Sequence, residues 1–592
     1  MAAISIGGAS GYWGDAPHAT RQLLDYPKID FLVYDYLAEV TLSIMARQRA
    51  KDASLGYATD FVTALKPALE QIARRNIKVI SNAGGMNPQA CASAVRVLVA
   101  ELGLTLNVTV VEGDDLIDRL EDIESTTEMF TGERFPAKER VVSANAYLGA
   151  LPIVKALKNG ADIVITGRCV DSAVTLGACI ASFDWSFEDF DKLAQASLAG
   201  HLIECGPQAT GGNFTDWRAL EGPLENIGYP VAVVEEDGTF SITKPSTTSG
   251  LVSVATVAEQ LVYEIHDPQD YLLPDVSCDF SQAMLEQVDA DVVRVSGARG
   301  YPPPESYKVS VTYSDGYKAG MSLGFFGFEA AAKATAFADA SFARTDRTLS
   351  DLGLPAISDK TTELVGSGSQ FGQSPQAAAE INEIQLNIAV KHEKRAGVAA
   401  FIQSVSGMGL ATPAGMALFQ AGRSTPSPVI RHFSCARDKK GIELVIDDGV
   451  TRHAFSDYTV APISRSIERP TPPEALAQHE IVEVSLLDLA YGRSGDKGDR
   501  ANVGIIARTP EALPWIWASL TPEKIASVFA HFNPSHVERF LLPGIHAINF
   551  VLHDVLGGGG MASIRSDAQG KAYAQILLHQ TVSVPTHLAE SL

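Results

Sequence analysis

The sequence predicts an α/β protein with an N-terminal α/β domain built on a parallel sheet, an α+β middle region packed on it, and a small C-terminal α+β domain. Over residues 1–180, amphipathic helical segments alternate with five short runs rich in Ile and Val: AISIGG, FLVYDYL, IKVISNAGG, NVTVVEG and ADIVITGR. Continuous apolar strands that alternate with helices indicate βαβ units and a parallel sheet. Beyond residue 230, hairpin signals replace this pattern.

The later elements set the predicted domain boundaries. Asp-Gly pairs predict turns at 237–238 and at 315–316, and GFEAAAKATAFADASFART predicts a long helix. The final residues predict the order strand, strand, helix, strand, strand, with AYAQILLHQTVSV as the last strand. We therefore expect an α/β domain at 1–230, a middle region at 231–466, a proline-rich linker at 467–480 and a small domain at 481–592.

The composition narrows the classes of partner. The chain has 592 residues, of which 46% are hydrophobic and 20% charged, as in ordinary globular proteins. Its 47 basic and 70 acidic residues give a net charge of −23, which argues against a nucleic-acid partner. The sequence contains no long apolar run, no signal-peptide pattern and no paired cysteine motif among its six cysteines. These features predict a cytoplasmic protein without a membrane segment.

Two glycine-rich turns follow the first and third predicted strands. Parallel sheets bind their ligands at the carboxyl ends of the strands. Glycines in these turns would let the backbone approach an anionic ligand, and polar side chains there would bind it. The candidate ligand-binding residues are Gly8, Ser10, Gly11, Asn82, Gly84 and Gly85. The spacing does not match the dinucleotide-binding motif, and turns selected only for their geometry are the alternative.

The segment ITGRCVDSA brings several reactive groups to the end of another predicted strand. Arg168 would hold a carboxylate, and the Cys169 thiol near a helix start would ionise more easily. Asp171 would assist catalysis and Ser172 would bind ligand. In the alternative interpretation, Asp171 caps the next helix and Cys169 is a small buried residue.

The segment GHLIECGPQATGG contains the strongest candidates for acid–base chemistry. His201 and Glu204 are three residues apart, so on a helix they share one face and could relay a proton. Cys205 follows directly and would assist catalysis. A metal site is disfavoured because no CxxC or HExxH motif accompanies these residues. A glycine-rich helix exit with a structural histidine is the alternative.

The segment RSGDKGD begins the C-terminal domain with an unusual density of charge. Arg493 and Lys497, with the two glycines between and beside them, could form an anion cradle. We expect this loop to contact a ligand that is bound mainly by the N-terminal sheet. The alternative is a solvated hairpin in which Asp496 and Asp499 neutralise the two basic residues.

Taken together, IGGASGYWGD, SNAGGMNP, ADIVITGRCVDSA, GHLIECGPQATGGNF and RSGDKGDRANVG resemble the signatures of the acyclic terpene utilisation (AtuA) family, in the same order. The resemblance covers essentially the whole chain. It implies a ferredoxin-like C-terminal domain. It also implies a role in the breakdown of branched acyclic terpenes and related acids, beside acyl-CoA carboxylases, dehydrogenases and hydratases. It supplies no catalytic residues.

These observations predict a catabolic enzyme, a lyase of the hydratase type, that acts on a branched carboxylic acid or its acyl-CoA thioester. No cofactor motif is visible, and coenzyme A would enter only as part of the substrate. A small anionic substrate and a homo-oligomer are expected. Two alternatives stay open: thioester transfer through Cys169 or Cys205, and a non-catalytic partner of an acyl-CoA carboxylase complex.

Overall fold

The computed structural model describes residues 3–590 except 16, 374–379, 419–423, 461–464 and 476–479. The strands are β1 (Ala3–Gly8), β2 (Phe31–Tyr34), β3 (Lys78–Ser81), β4 (Val108–Glu112), β5 (Val141–Ala146), β6 (Ile163–Thr166), β7 (Val231–Glu235), β8 (Phe240–Thr243), β9 (Tyr271–Leu272), β10 (Ser277–Asp279), β11 (Met284–Asp289), β12 (Val292–Ser296), β13 (Arg299–Tyr301), β14 (Ser306–Phe326), β15 (Asp359–Val365), β16 (Glu383–His392), β17 (Met416–Leu418), β18 (Ser427–Asp438), β19 (Glu443–Asp447), β20 (Arg452–Ser456), β21 (Ile481–Ser485), β22 (Ala490–Lys497), β23 (Arg500–Ala507), β24 (Val537–Leu542), β25 (Ala547–His553) and β26 (Thr581–Pro585).

The helices are α1 (Ala19–Leu24), α2 (Glu39–Lys51), α3 (Thr59–Leu65), α4 (Leu69–Arg75), α5 (Pro88–Glu101), α6 (Leu151–Lys158), α7 (Ala173–Phe183), α8 (Phe190–Ile203), α9 (Val254–Leu261), α10 (Ala330–Asp351), α11 (Arg395–Gly407), α12 (Leu486–Leu489), α13 (Leu513–Ser519), α14 (Pro522–Val528), α15 (Tyr573–Leu578) and α16 (Thr586–Ala589).

A sheet of eleven strands carries the N-terminal part, in the order β11-β12-β8-β7-β1-β2-β3-β6-β4-β19-β20. Its five central strands, from β1 to β4 in this order, are parallel. Strand β6 is buried along its whole length, and so are β2 and the last four residues of β1. Helices on both faces exclude water from such apolar strands, which is why they form the parallel core predicted for this region.

The predicted boundary at residue 230 falls inside this sheet. Strand β7 pairs with β1, and the Asp-Gly hairpin predicted at 237–238 joins β7 to β8. Much later in the chain, β19 pairs with β4, the last parallel strand on the other side of the sheet. Residues from both sides of position 230 therefore share one layer and one core.

A second, antiparallel sheet forms around the 21-residue strand β14, which pairs with β5, β16, β17 and β18. The turn predicted at 315–316 is wrong. Residues 315 and 316 lie within β14, where the register against β18 shifts between Ser314 and Tyr317. Gly316 has φ +86°, so the Asp-Gly pair forms a bulge in a continuous strand rather than its end.

The C-terminal domain has a four-stranded antiparallel sheet, β22-β23-β25-β24, and a separate pair, β21-β26. It has a hydrophobic core of its own. The segment AYAQILLHQTVSV, predicted as one strand, starts as helix α15 and becomes strand β26 only at Thr581. Tyr573, Ile576 and Leu577 are buried at helical spacing, and this periodicity is hard to separate from a strand in so short a run.

The proline-rich segment is only partly described, because residues 476–479 of the predicted linker lie outside the described residues. Before the gap, Arg469 forms a two-point ion pair with Asp267 at 2.7 and 2.6 Å. This contact fixes the start of the segment to the residues between α9 and β9. Within the described residues, no helix combines the length and hydropathy that crossing a lipid bilayer requires.

Candidate active site

A cavity of about 270 Å³ lies where the eleven-stranded sheet, the sheet around β14 and the C-terminal domain meet. Four of the predicted site residues line it: Asp171, Ser172, Glu204 and Lys497. The remaining wall is mostly apolar or aromatic and includes Met129, Phe130, Tyr147, Val170, Tyr271, Leu272, Leu273, Pro274, Pro304 and Ala436. A small, largely apolar cavity with a few converging polar groups is the usual form of a ligand site.

The His201–Glu204 pair forms at the C-terminal end of α8, as the three-residue spacing predicts. His201 Nδ1 lies 3.1 Å from Glu204 Oε1, and His201 Nε2 lies 3.2 Å from the carbonyl oxygen of Leu261. His201 is buried behind Glu204, and the Glu204 side chain is 13% exposed toward the cavity. Glu204 is therefore the member of the pair that a bound molecule can reach.

This arrangement requires one proton between the two side chains. The Leu261 carbonyl can only accept, so His201 Nε2 must carry a proton. Nδ1 and Oε1 would repel each other if both were unprotonated, so a further proton lies on one of them. The pair is either a neutral histidine with a protonated Glu204 or an imidazolium with a carboxylate.

The pKa values of the pair shift in the same sense. Burial raises the pKa of Glu204 above its ordinary value, against the hydrogen bond from His201, and the negative charge of Asp171 adds to the increase. Burial alone would lower the pKa of His201, but the hydrogen bond and charge of Glu204 outweigh it and raise that pKa. Because both groups bind protons more readily than usual, the shared proton persists toward neutral pH.

The glycines of the first turn position Glu204 rather than a ligand. A Cβ atom on Gly8 would lie 2.3 Å from the Ile203 carbonyl oxygen, and one on Gly11 would lie 2.8 Å from the Cys205 carbonyl carbon. Their N–H groups are already used, since Gly8 donates to Pro230 and Gly11 to Asp15. The two glycines thus permit the end of α8 to pack directly on the end of β1.

The second glycine turn is likewise occupied by internal contacts. Asn82 is fully buried, accepts the Tyr36 N–H and donates to Asp35 Oδ1 at 2.5 Å. A Cβ on Gly84 would lie 2.5 Å from the Thr166 carbonyl oxygen, and Gly85 has φ +49°. These three predicted ligand residues instead fix the loops at the ends of neighbouring strands. Burial, together with the charge of Asp171, raises the pKa of Asp35 well above its ordinary value.

Arg168 lies behind the cavity wall and binds a carboxylate of this chain. Its Nη1 atom is 2.6 Å from Asp171 Oδ1 and 3.0 Å from the Leu37 carbonyl oxygen. Its guanidinium also stacks on Tyr147, with 4.1 Å between the carbon and the ring centroid. The predicted carboxylate clamp is therefore satisfied by Asp171, which it orients at the edge of the cavity.

Neither predicted cysteine has the environment of a reactive thiolate. Cys169 is 1% exposed, and burial raises the pKa of its thiol to about 12, against the hydrogen bond from Thr166. Burial also raises the pKa of Cys205 well above its ordinary value, and the charge of Glu204 adds to this. The prediction that the Cys169 thiol ionises easily is wrong, because the loss of solvent on burial raises its pKa more than the nearby helix N-terminus lowers it.

The C-terminal domain contributes Lys497 through the hairpin of β22 and β23. Gly495 makes this possible, since a Cβ there would lie 2.6 Å from Tyr263 Cε2. Arg493 does not line the cavity: it is 9% exposed, bonds to Gln208 and donates to the Asn213 carbonyl at 3.1 Å. Arg493 therefore attaches the C-terminal domain to the N-terminal part. Lys497 lines the same cavity as Asp171 and Glu204, as expected if this loop contacts a ligand bound mainly by the N-terminal sheet.

Most carboxylates of the cavity wall are paired with basic residues. Four of the five have such partners: Asp171 with Arg168, Asp267 with Arg469, Glu264 with Lys571, and Asp270 with Arg465. The cavity wall itself carries two lysines, Lys308 and Lys497. Within the part of the chain that the structure describes, no cluster of three His, Cys, Asp or Glu side chains is arranged to hold a metal ion.

Ser10 borders a different cavity, of about 300 Å³, at the ends of β1 and β2. Asp15, Asp60 and Tyr36 also line it. The hydroxyl of Ser10 donates to the Asp35 carbonyl at 2.9 Å. This acidic wall does not suit the anion predicted to bind at the first turn.

Sequence reasoning missed seven polar residues of the main cavity: Glu264, His266, Asp267, Asp270, Tyr271, Ser306 and Lys308. The first five lie close together in the segment EIHDPQDY, which has no glycine turn. Lys308 lies on β14 and His266 in the segment after α9, so only long-range packing brings them to Glu204. The run of titratable side chains in EIHDPQDY is a local signal that could have identified five of the seven residues.

The sequence profile of acyclic terpene utilisation family protein AtuA matches residues 4–447, and that of the AtuA ferredoxin-like domain matches residues 484–583. No curated protein and no solved structure matches the chain. The first profile alone covers well over half of the chain, which confirms the resemblance seen in the motifs. The chain therefore belongs to the acyclic terpene utilisation family AtuA, carries its ferredoxin-like domain, and by this membership is implicated in acyclic terpene utilisation.

Proposed function

We propose that this protein is an enzyme that transfers protons to and from a branched unsaturated acid or its CoA thioester, most simply by hydration or dehydration. The observation that carries the proposal is the His201–Glu204 pair. It holds one shared proton and presents Glu204 to a small apolar cavity that also contains Lys497. General acid–base catalysis needs a group of this kind, with a pKa displaced toward the working pH.

The dimensions of the cavity favour a short branched acyl group. Its wall of aromatic, leucine and proline side chains would bind a methyl-branched hydrocarbon, and its volume is about 270 Å³. A whole CoA molecule exceeds this space, so in a thioester only the acyl end would enter. A carboxylate or thioester oxygen would lie toward Lys308 and Lys497, because these are the cationic groups of the wall.

Hydration follows from these groups without a redox cofactor, since the reaction is redox-neutral. Glu204, as the carboxylate of the imidazolium form, takes a proton from a water molecule. The water oxygen bonds to the β-carbon, the pair of the C=C bond forms a double bond between the α-carbon and the carbonyl carbon, and the π pair of the carbonyl moves to its oxygen. Glu204 then delivers the proton to the α-carbon, and the carbonyl double bond re-forms. His201 serves as a positioning residue that stores the proton, and Asp171, fixed by Arg168, lies at the same wall.

Thioester transfer through a cysteine has less support, because Cys169 and Cys205 do not line the cavity and burial raises both pKa values. A non-catalytic role in a carboxylase complex predicts binding without turnover. Isotope incorporation separates this role from catalysis by the protein alone.

The test is incubation of the purified protein with 3-methylbut-2-enoate, 3,7-dimethylocta-2,6-dienoate and their CoA thioesters in H2(18)O and, separately, in D2O. Mass spectrometry should find oxygen from water at the β-carbon or deuterium at the α-carbon of at least one compound. A protein that binds these compounds but incorporates neither isotope contradicts the proposal and favours the non-catalytic role.

A further inference from the structure

His266 is a polar group of the cavity wall to which the reaction above gives no role. Its Nε2 atom is shielded from solvent and has no hydrogen-bond partner among the described residues. The residue is held in place on two sides. Its main-chain carbonyl accepts the Asn549 Nδ2 group at 2.6 Å, and its ring packs edge-on against Phe130, with 6.4 Å between centroids. These contacts hold the main chain and the ring of His266 in place at the cavity wall.

The surroundings of His266 keep the imidazole neutral. Burial lowers its pKa well below the ordinary value, and the positive charges of Lys497, Arg500 and Lys308 lower it further. A neutral imidazole still carries one N–H group that can donate. A shielded nitrogen without a partner costs free energy, so a site that retains one is suited to a ligand that supplies the missing bond.

The kind of ligand follows from the charges. The positive charges of Lys308, Lys497 and Arg500 all act on His266, and four of the five carboxylates of the cavity have basic partners of their own. An oxygen atom that bears negative charge would be attracted by the same three groups and can accept from N–H donors. A carboxylate oxygen bears negative charge permanently, and an enolate oxygen bears it during the reaction.

We infer that His266 binds the carbonyl or carboxylate oxygen of the substrate through Nε2–H, beside the ammonium groups of Lys308 and Lys497. This inference rests on the proposed function and names its substrate class: an acyl compound whose double bond is conjugated to that oxygen. As the water oxygen bonds to the β-carbon, the pair of the C=C bond forms the enolate double bond and the π pair of the carbonyl moves onto its oxygen, where His266 stabilises the negative charge. When the α-carbon takes a proton, the pair returns and the oxygen becomes a carbonyl again. The sum is addition of one water molecule.

Calorimetric titration of the full-length protein tests this inference with three probes: 3-methylbut-2-enoate, its CoA thioester, and the uncharged 3-methylbut-2-enamide. The wild-type protein should bind the carboxylate more tightly than the amide. His266→Leu removes the donor at similar volume and should weaken carboxylate binding roughly 10-fold or more, as expected for a hydrogen bond to a charged group. His266→Gln keeps an N–H donor and should stay within about 3-fold of wild type.

His453→Gln is the matched control, since His453 is exposed on β20, away from the cavity wall, and should change nothing. If His266→Leu does not fold, His266→Phe replaces it, because phenylalanine keeps a flat ring without a nitrogen. Equal carboxylate affinity in wild type and the variant without a donor overturns the inference, and so does a wild-type protein that binds none of the probes. If His266 variants lose affinity but wild type incorporates no isotope from water, the binding role stands and the proposed reaction fails.

Discussion

His201 Nδ1 lies 3.1 Å from Glu204 Oε1, while the other ring nitrogen of His201 faces the Leu261 carbonyl oxygen at 3.2 Å. The carbonyl fixes a proton on Nε2, so the contact between Nδ1 and Oε1 must contain a proton of its own. Only Glu204 of this pair reaches the cavity. The relationship gives the site a carboxyl group that can deliver a proton or, after passing it to His201, accept one.

Removal of His201 should shift the pH dependence of catalysis. His201→Gln leaves a side chain that can hydrogen-bond but not titrate near neutral pH, so Glu204 loses the partner that lowers its pKa. The pKa of Glu204 should therefore rise further, and the acidic limb of the kcat profile should move to higher pH. At neutral pH, kcat should fall on the order of 10- to 100-fold. An unshifted profile between pH 5 and 9, with His453→Gln as control, would assign His201 a structural role only.

Lys497 should contribute affinity for an anion rather than stability. Lys497→Met keeps the length of the side chain and removes its charge, and KM for a carboxylate or thioester should rise roughly 10-fold. Lys524→Met changes an exposed lysine on the same domain and should behave as wild type. Added salt should weaken the wild type more than Lys497→Met, because screening acts on the charge that the variant lacks. Equal KM values in the two variants would remove Lys497 from the site.

Gly8 should matter through the position of Glu204. In Gly8→Ala, the new Cβ would lie 2.3 Å from the Ile203 carbonyl oxygen, so the end of α8 must move. We expect a loss of stability of roughly 1–3 kcal/mol, typical of overpacking, together with lower activity. Gly409→Ala is the control, because its nearest contact of 3.4 Å is an ordinary one. Denaturant unfolding and turnover measure the two effects, and a fully active, equally stable Gly8→Ala protein would show that the close approach is unimportant.

The stability of the protein should fall between about pH 4 and about pH 7 partly through Asp114. Burial raises the pKa of Asp114 to about 7, although the Arg168 N–H opposes the increase. A carboxyl group whose folded pKa exceeds its unfolded pKa stabilises the fold at low pH, and this stability is lost progressively as the pH rises from the unfolded pKa to the folded one. Asp114→Asn removes the titration, so its unfolding midpoint should depend less on pH than that of wild type. Asp448→Asn, at an exposed turn, is the control. Identical pH slopes in wild type and Asp114→Asn would contradict the shift.

The parallel core was predictable because its strands are continuous apolar runs that alternate with helices. This pattern is typical of a parallel sheet covered on both faces. The bulge at 315–316 was not, because an Asp-Gly pair has the same local preference in a hairpin and in a bulge. The long pairing of β14 with β16 and β18 decides between them. The helix at the start of AYAQILL was missed for a similar reason, since its buried face depends on the core of the C-terminal domain.

The site was predictable where reactive residues cluster beside glycine. Asp171, Ser172, Glu204 and Lys497 were identified in this way and line one cavity. Other residues of those clusters serve the same site indirectly: Arg168 orients Asp171, and Gly8 admits the end of α8. A sequence pattern does not distinguish a residue that touches ligand from one that holds its neighbour, because both stand at the same strand ends.

The most direct test of the account is the turnover of Glu204→Gln on whichever branched acid or thioester incorporates isotope from water with wild type. This variant keeps the size of the side chain and removes its ability to carry the proton. The account predicts that kcat falls by about 100-fold or more, the usual scale of general acid–base catalysis, while ligand affinity stays within about 3-fold. Glu225→Gln, at an exposed position, should retain full activity. An unchanged kcat in Glu204→Gln would contradict the central claim that Glu204 transfers the proton.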